Sequence, residues 1–472
     1  MIRAVVVGSG PNGLAAGLTL AAAGVQVTVL EAADVPGGGT RSTVSEATGL
    51  LHDLCSGFHP LALDNAFSRH ADLAAHGLAF AEPPVQYAHP LDGGRGAAAW
   101  RSVAETAEHL GPGGPSWRRI FGPLAERFDR IGDEFLQPML HLPRHPIALA
   151  RFGLVAAPPA AAVARLLRTE EARALWGGVA AHAFRPLGGP LSGAIGAALG
   201  TAAHRYGWPV AVGGSAAIAR ALIAGIEAHG GTIETGMTVD RLDDLGGPDL
   251  VLLDTSPSAA AAILGGHQPR RIAAAYRRYR HGPGAYQVAL AVDGGIPWAH
   301  EPARRAGTVH VGGTFAEVAA AERAAWRGRT PADLFVLVGQ QYLADPDRAV
   351  GDLVPVDAYA HVPAGHRGDL TDAILERIER YAPGFRRRVR HVETRRTEAI
   401  AAHNPNYLGG DIVTGANTPR QLVFRPRAAL DPYRTGVDGV YLCSAATPPG
   451  AGAHGLCGWH AARRALAHVG LR

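Results

Sequence analysis

Gly8-Ser9-Gly10-Pro11-Asn12-Gly13 is a G-x-G-x-x-G run that directly follows the apolar stretch Ile2–Val7. The chemistry such a run can do is to hold a diphosphate with main chain. Gly8 permits the tight turn, Gly10 lets backbone approach a pyrophosphate, and Gly13 allows close helix–strand packing. The Ala/Leu-rich segment Leu14–Ala23 reads as a helix. Its N-terminus offers free N–H groups and a partial positive charge to an anion. Gly24 stops it, and Val25–Leu30 reads as a second buried strand closed by Glu31, with Ala32 beside it. Glu31 lies about 20 residues beyond the glycines, where a carboxylate accepts hydrogen bonds from an adenosine ribose. The whole strand–turn–helix–strand–acid unit therefore predicts dinucleotide binding.

A second glycine cluster follows at once, Pro36-Gly37-Gly38-Gly39-Thr40-Arg41-Ser42. A flavin continues past the first turn and needs such a cluster; a nicotinamide does not. Gly37, Gly38, Arg41 and Ser42 thus join the candidate cofactor residues, and FAD is the expected cofactor. A plain loop is the competing reading. Near the other end, Gly439–Cys443 reads as a strand, followed by a Pro/Gly-rich loop and a helix from about Leu456 to Val469. A helix N-terminus under the pyrimidine end of a flavin stabilises negative charge on the reduced ring. Gly452 and Gly455 let N–H groups come close, with Ala445 and Leu456 flanking them; a simple strand–helix corner is the alternative. His59 and His454 are the candidate proton donors, because imidazole titrates near neutrality. Among 22 histidines, however, a single one is more often a surface or core residue.

These motifs sit in a chain of 472 residues, long enough for two to four domains or two large lobes. Hydrophobic residues make up 47% and charged residues 18%, which supports a sizeable core and excludes a disordered or fibrous chain. Lys+Arg total 45 against 41 Asp+Glu, a net charge of +4, and no lysine occurs at all. Schiff-base, pyridoxal-phosphate and P-loop chemistry all need that missing amine. The arginines are scattered among acids, with no basic stripe interleaved with aromatics, so no nucleic-acid partner is expected. Cys55, Cys443 and Cys457 form no C-x-x-C, and no H-x-x-x-H or H-E-x-x-H helix pair occurs, His141 and His145 being separated by Pro143. Disulfide, dithiol and metal sites are therefore not expected; Cys443 and Cys457 read as buried small hydrophobes. The strand starting at Ile2 leaves no room for a signal peptide, and no apolar run reaches the roughly 20 residues of a spanning helix. The expected address is the cytoplasm.

The run Val6–Ala16, V-V-G-x-G-x-N-G-L-A-A, then Val29-Leu30-Glu31, then Gly37-Gly38 and Arg41-Ser42 resembles the phytoene desaturase/carotenoid isomerase-like FAD-dependent oxidoreductases. The resemblance continues through His52–Leu61, Gly213-Gly214, His403-Asn404-Pro405-Asn406, Gly409-Gly410-Asp411 and Arg425-Pro426. It closes with Tyr441–Ala446 and Pro449–Gly455. The fold it implies is α/β: a Rossmann-type FAD-binding domain of glutathione-reductase-like, amine-oxidase/phytoene-desaturase topology, with an interleaved α+β substrate domain. The implied boundaries are 1–75, 205–265 and 400–472 for the FAD domain, and 76–204 with 266–399 for the substrate domain. It also implies a backbone role for Val239 on the adenine side.

The patterning gives the intervening elements. Thr232–Val239 and Asp249–Asp254 read as strands, Gly284–Val292 and Leu334–Leu343 as parts of an antiparallel sheet, and Leu370–Tyr381 as an amphipathic helix. Pro138–Leu167 is apolar, interrupted by prolines and bordered by arginines; it reads as a packed helical subdomain over a substrate tunnel, with a lid or peripheral membrane contact as the alternative. The implied activity is oxidoreduction of an apolar, polyunsaturated small molecule, as a desaturase or a redox-neutral isomerase. Amine oxidases on the same fold usually place a lysine beside the flavin, which this chain lacks. A non-catalytic FAD-stabilised scaffold is the third alternative.

Overall fold

A computed structural model describes residues 1–471. Its centre is a five-stranded parallel sheet in the order Val440–Leu442, Leu250–Leu253, Arg3–Val7, Gln26–Leu30, Thr232–Glu234. Leu250–Leu253 is apolar throughout and fully buried, as a parallel strand covered on both faces must be. One face packs against the helices Pro11–Ala22, Ala216–Ala228 and Leu456–His468. The other face packs against Pro257–Leu264 and Arg270–Arg277. The strand expected over Thr232–Val239 stops at Glu234. Gly236 takes φ +71° and turns the chain, so that the Met237 amide donates to the Glu31 carbonyl instead of extending the ladder.

The second sheet has seven strands, ordered Val389–Arg395, Gly284–Asp293, Leu353–Val362, Val336–Gly339, Ala306–Val311, Val85–Pro90, Gly96–Ala99. It is antiparallel except where Ala306–Val311 runs parallel to Val85–Pro90. The predicted strand at Leu334–Leu343 is shorter, Val336–Gly339, and Gln341–Leu343 forms a 3₁₀ turn. The cause is Gln340, whose buried amide accepts from Trp298 Nε1 and donates to the Ala303 and Ala306 carbonyls, pulling the chain out of the sheet.

Period-2 alternation divides this sheet's faces sharply. Val288, Leu290, Val309, Val336, Val356 and their neighbours pack against the helix Thr371–Tyr381 through Ile374, Leu375 and Ile378. The opposite face carries Gln287, Thr308, His310, Tyr359 and His361 and lies under a helical layer that includes Pro146–Ala156, Glu170–Ala181 and Ala194–Tyr206. Pro138–Leu167 contributes the helices Pro146–Ala156 and Ala160–Ala164. Phe152 and Ala156 point inward, whereas Leu142 and Leu154 are 92% and 76% exposed. Among the described residues no helix is long and apolar enough to cross a membrane.

A buried ion cluster ties the seven-stranded sheet to the two-stranded hairpin Ser42–Val44 and Leu51–Asp53. Arg348, fully buried, donates to Asp53 Oδ2 at 2.7 Å, to Asp345 Oδ2 at 3.0 Å and to the Ala211 carbonyl at 3.0 Å. Asp53 Oδ1 accepts from Ser42 Oγ and the Ser215 amide, and Asp357 accepts from the Asp53 amide and pairs with His52. Removing one partner of such a cluster leaves buried charge unpaired, which costs far more than the pair contributes net. Arg348→Met should therefore destabilise the protein by about 3–5 kcal/mol in urea unfolding. A loss below about 1 kcal/mol would show that the cluster does not hold these segments together.

Candidate functional site

The Gly8–Gly13 turn sits where the first strand hands over to the helix Pro11–Ala22. That helix begins at Gly10, which has no side chain to cap it, and no acid lies in the sequence of its first turn. Gly8 has φ +99°, and Gly38 packs on Gly10 so closely that a Cβ on Gly38 would lie 2.9 Å from the Gly10 Cα. Ser9 and Glu31 meet here: the Ser9 amide donates to Glu31 Oε2 at 2.9 Å, and the Ala33 amide to Oε1 at 3.0 Å. The Gly37 amide donates to the Ser9 carbonyl at 3.0 Å. The turn, Glu31 and the second glycine cluster are thus one unit. Arg41 lies in it with a buried Nε that has no partner, and Asn12 has a buried Oδ1 without one. Both are polar atoms that a bound group would satisfy. Ala32 is exposed beside Glu31, and Ser42 is engaged by Asp53 and the Ala216 amide.

One cavity of about 680 Å³ runs from Gly10, Pro11 and Asn12 to Ala445, Gly452 and His454, with His59 on its wall. Val239 is not on that wall; it packs below the sheet beside Leu242 and Val5. Gly455, at φ +71°, caps the last helix, and Leu456 is buried in the core behind the cavity. Gly450 approaches Arg425 so closely that a Cβ there would be 2.6 Å from NH1. Arg425 is buried, lines the cavity and donates only to neutral oxygens: the Gln421 and Ala445 carbonyls and Asn417 Oδ1. No carboxylate offsets its charge among its hydrogen-bond partners, so this end of the cavity favours an anion.

Both candidate histidines are buried and neutral. His59 Nε2 lies 3.0 Å from Ser215 Oγ, and burial followed by the Arg348 charge pushes its pKa down to about 3. His454 Nδ1 accepts the Leu456 amide at 3.1 Å and so caps the last helix; burial, then His460, lowers it to about 4. At neutral pH neither ring is an imidazolium; His59 commits both nitrogens to the protein, Nδ1 lying 3.5 Å from Ser56 Oγ, and His454 commits Nδ1.

Sequence patterning did not single out Asp254, which closes the all-apolar strand Leu250–Leu253. Its carboxylate lies across the glycine turn: Oδ2 accepts the Gly13 amide at 2.9 Å, and a Cβ on Gly10 would sit 2.5 Å from it. Asn406 anchors the same corner, accepting the Ser256 amide at 2.7 Å and donating to the Asp254 carbonyl at 3.2 Å. The available signal was an acid at the end of a strand that is otherwise fully apolar. Burial and the nearby Glu31 carboxylate push Asp254 up to about 7 against the pull of the Gly13 amide. Cys443 and Cys457 are buried beside this region, and neither supplies a positive charge. Among the described residues no group of three or more His, Cys, Asp or Glu converges as a metal set.

A family profile described as an NAD(P)-binding Rossmann-like domain matches residues 6–72. Pyridine nucleotide-disulfide oxidoreductase domain-containing protein 2 of Rattus norvegicus is 39% identical over 94 residues, which is 19% of this chain and 16% of the relative. The chain therefore matches about a sixth of that relative's length. In shape the likeness spans the whole molecule. Cyclohexylamine oxidase from Brevibacterium oxydans IH-35A is 17% identical, with 99% of each chain covered and a TM-score of 0.57. A putrescine oxidase variant gives 0.62 at 16% identity over 99% of each chain, and an oxidoreductase from Methanosarcina mazei gives 0.59 at 15% over 98% of this chain and 100% of its own. The fold is thus α/β with a parallel Rossmann-like sheet, as in these solved structures.

Asp254 makes a measurable pH dependence. Its folded pKa, about 7, lies above the ordinary 3.8, so the protonated folded form is favoured. The corresponding stability is complete below about pH 4 and is lost as pH rises through about 7. In protein free of nucleotide, Asp254→Asn should raise the melting temperature at pH 8 by at least about 2 °C and change nothing at pH 4. Parallel melting curves for the two proteins across that range would contradict the shift.

Proposed function

We propose that this chain is an FAD-dependent oxidoreductase of the phytoene desaturase-related branch, acting on a largely apolar small molecule as a desaturase or a redox-neutral isomerase. The observation that carries the proposal is the cavity joining the N-terminus of the first helix to the buried Arg425, whose hydrogen-bond partners include no carboxylate. A long molecule with a diphosphate near one end and an electron-accepting ring at the other suits that arrangement. On this reading residues 1–75, 205–265 and 400–472 hold the cofactor, and 76–204 with 266–399 hold the substrate.

Glu31 would accept the ribose hydroxyls, and the Gly10–Asn12 backbone would receive the diphosphate. FAD, when bound, supplies hydride exchange at its flavin ring. The chain's own residues do the rest. Arg425 and the N-terminus of the Leu456–His468 helix favour negative charge at the far end of the cavity. Phe135, Leu149, Phe152, Ile195 and Leu199 form an apolar wall that excludes water and holds hydrocarbon. His454, being neutral, orients groups by hydrogen bonding at Nε2, whereas both nitrogens of His59 are engaged by Ser56 and Ser215. The lack of lysine speaks against amine-oxidase chemistry.

Anaerobic mixing of the flavin-loaded protein, oxidised and photoreduced in turn, with polyenes tests the activity. Bleaching of the oxidised flavin (desaturase) or geometric isomerisation of a polyene with no net flavin change (isomerase) is expected; oxidised flavin that stays yellow and polyenes that stay unchanged in both states would favour a scaffold. Glu31→Ala should raise the FAD dissociation constant at least tenfold, since the ribose loses its acceptor and Ser9 its anchor. Gly10→Val should abolish flavin retention in protein that still melts cooperatively. Full occupancy in either purified variant would refute the placement of the cofactor.

A further inference from the structure

The polar face of the seven-stranded sheet meets the cavity at His182, Thr308 and Trp208. His182 Nε2 lies 2.9 Å from His310 Nε2, so one of these nitrogens carries the shared proton. His310 decides which. It is fully buried, and its Nδ1 has no partner. That nitrogen faces backbone: a Cβ on Gly178 would lie 2.7 Å from it. A buried N–H with no acceptor is rarer than a buried lone pair with no donor. The proton of His310 therefore sits on Nε2 and is donated to His182. Burial, the largest cause for both rings, keeps both neutral. His182 must then carry its own proton on Nδ1, an atom with no protein partner on a side chain that lines the cavity. Thr308 adds a second donor. Its Oγ1 accepts Trp208 Nε1 at 2.9 Å, leaving the hydroxyl proton uncommitted, and the His182 ring meets the Trp208 ring edge-on at 5.9 Å.

We infer that His182 and Thr308 form a subsite for a carbonyl oxygen, so that the substrate is an oxygenated apolar molecule rather than a pure hydrocarbon. This rests on the oxidoreductase reading for the identity of the cavity as a substrate site. A hydrocarbon would cover both donors and leave them unpaired, whereas a carbonyl oxygen accepts from both.

The test uses 2-nonanone and nonane as probes, with binding to flavin-loaded protein followed by tryptophan emission. Two substitutions at His182 separate the ring nitrogens. His182→Gln places an amide near the Nε2 position and keeps the contact with His310; His182→Asn places one near Nδ1. His182→Gln should weaken 2-nonanone binding about tenfold and leave nonane unchanged, while His182→Asn retains the ketone. A loss under threefold in His182→Gln, an equal loss for both probes, or no ketone binding by the parent protein overturns the subsite. Flavin content is read from the same samples by absorbance. A colourless protein with His182-dependent ketone binding sinks the flavin reading alone, and a yellow one without that dependence sinks only the subsite.

Discussion

At Gly458 the last helix crosses the first so closely that a methyl group would overlap the Asn12 carbonyl oxygen, and at Gly13 one would overlap the Gly8 carbonyl oxygen. Backbone-to-backbone contact of this kind fixes two helices rigidly, because no side chain is left to re-pack between them. It places the N-termini of Pro11–Ala22 and Leu456–His468 on one cavity. That crossing, made in the first turn of each helix, brings the two positive helix ends close together. The glycines that appear to serve a ligand serve the crossing first.

The cavity inherits its character from the two layers that enclose it. A helical layer supplies hydrocarbon, and a sheet supplies the polar side of a strict alternation, with its Val/Leu side turned away toward Thr371–Tyr381. Such a space accepts a long apolar body but orients it by a few polar contacts along one side. The Arg348 cluster joins this sheet to the Ser42–Asp53 hairpin, because its carboxylates come from Asp53 on one side and Asp345 on the other. Arg348, Asp53 and Asp345 are all buried, so these segments are joined by groups that water cannot replace.

What was legible in the sequence was local. The glycine turn, Glu31 and the helix after Gly455 are each written within a dozen or so neighbouring residues, and periodicity reads them directly. The strand from Thr232 was overextended because apolar and β-branched residues continue past Gly236, which ends the pairing. Asp254, Arg348 and the His182–His310 pair were illegible for a different reason. Their partners Gly13, Asp53 and His310 lie 241, 295 and 128 residues away. No composition or spacing rule joins positions so remote, and a buried charge looks like a surface one until its partner is placed. His59 and His454 were legible as histidines in the right segments, but burial, which neutralises both, is a property of the assembled fold.

The central sheet interleaves segments made at very different times. Leu250–Leu253 pairs on one side with Arg3–Val7, already synthesised, and on the other with Val440–Leu442, which emerges nearly 190 residues later. At about 5–20 residues per second a ribosome needs on the order of 10–40 s to cover that gap. Throughout that interval the nascent chain carries an open, wholly aliphatic strand edge, the kind of surface that recruits chaperones or neighbouring polypeptides. The far wall of the cavity is made last of all, so loading of a ligand that touches both walls waits until translation of that wall is finished.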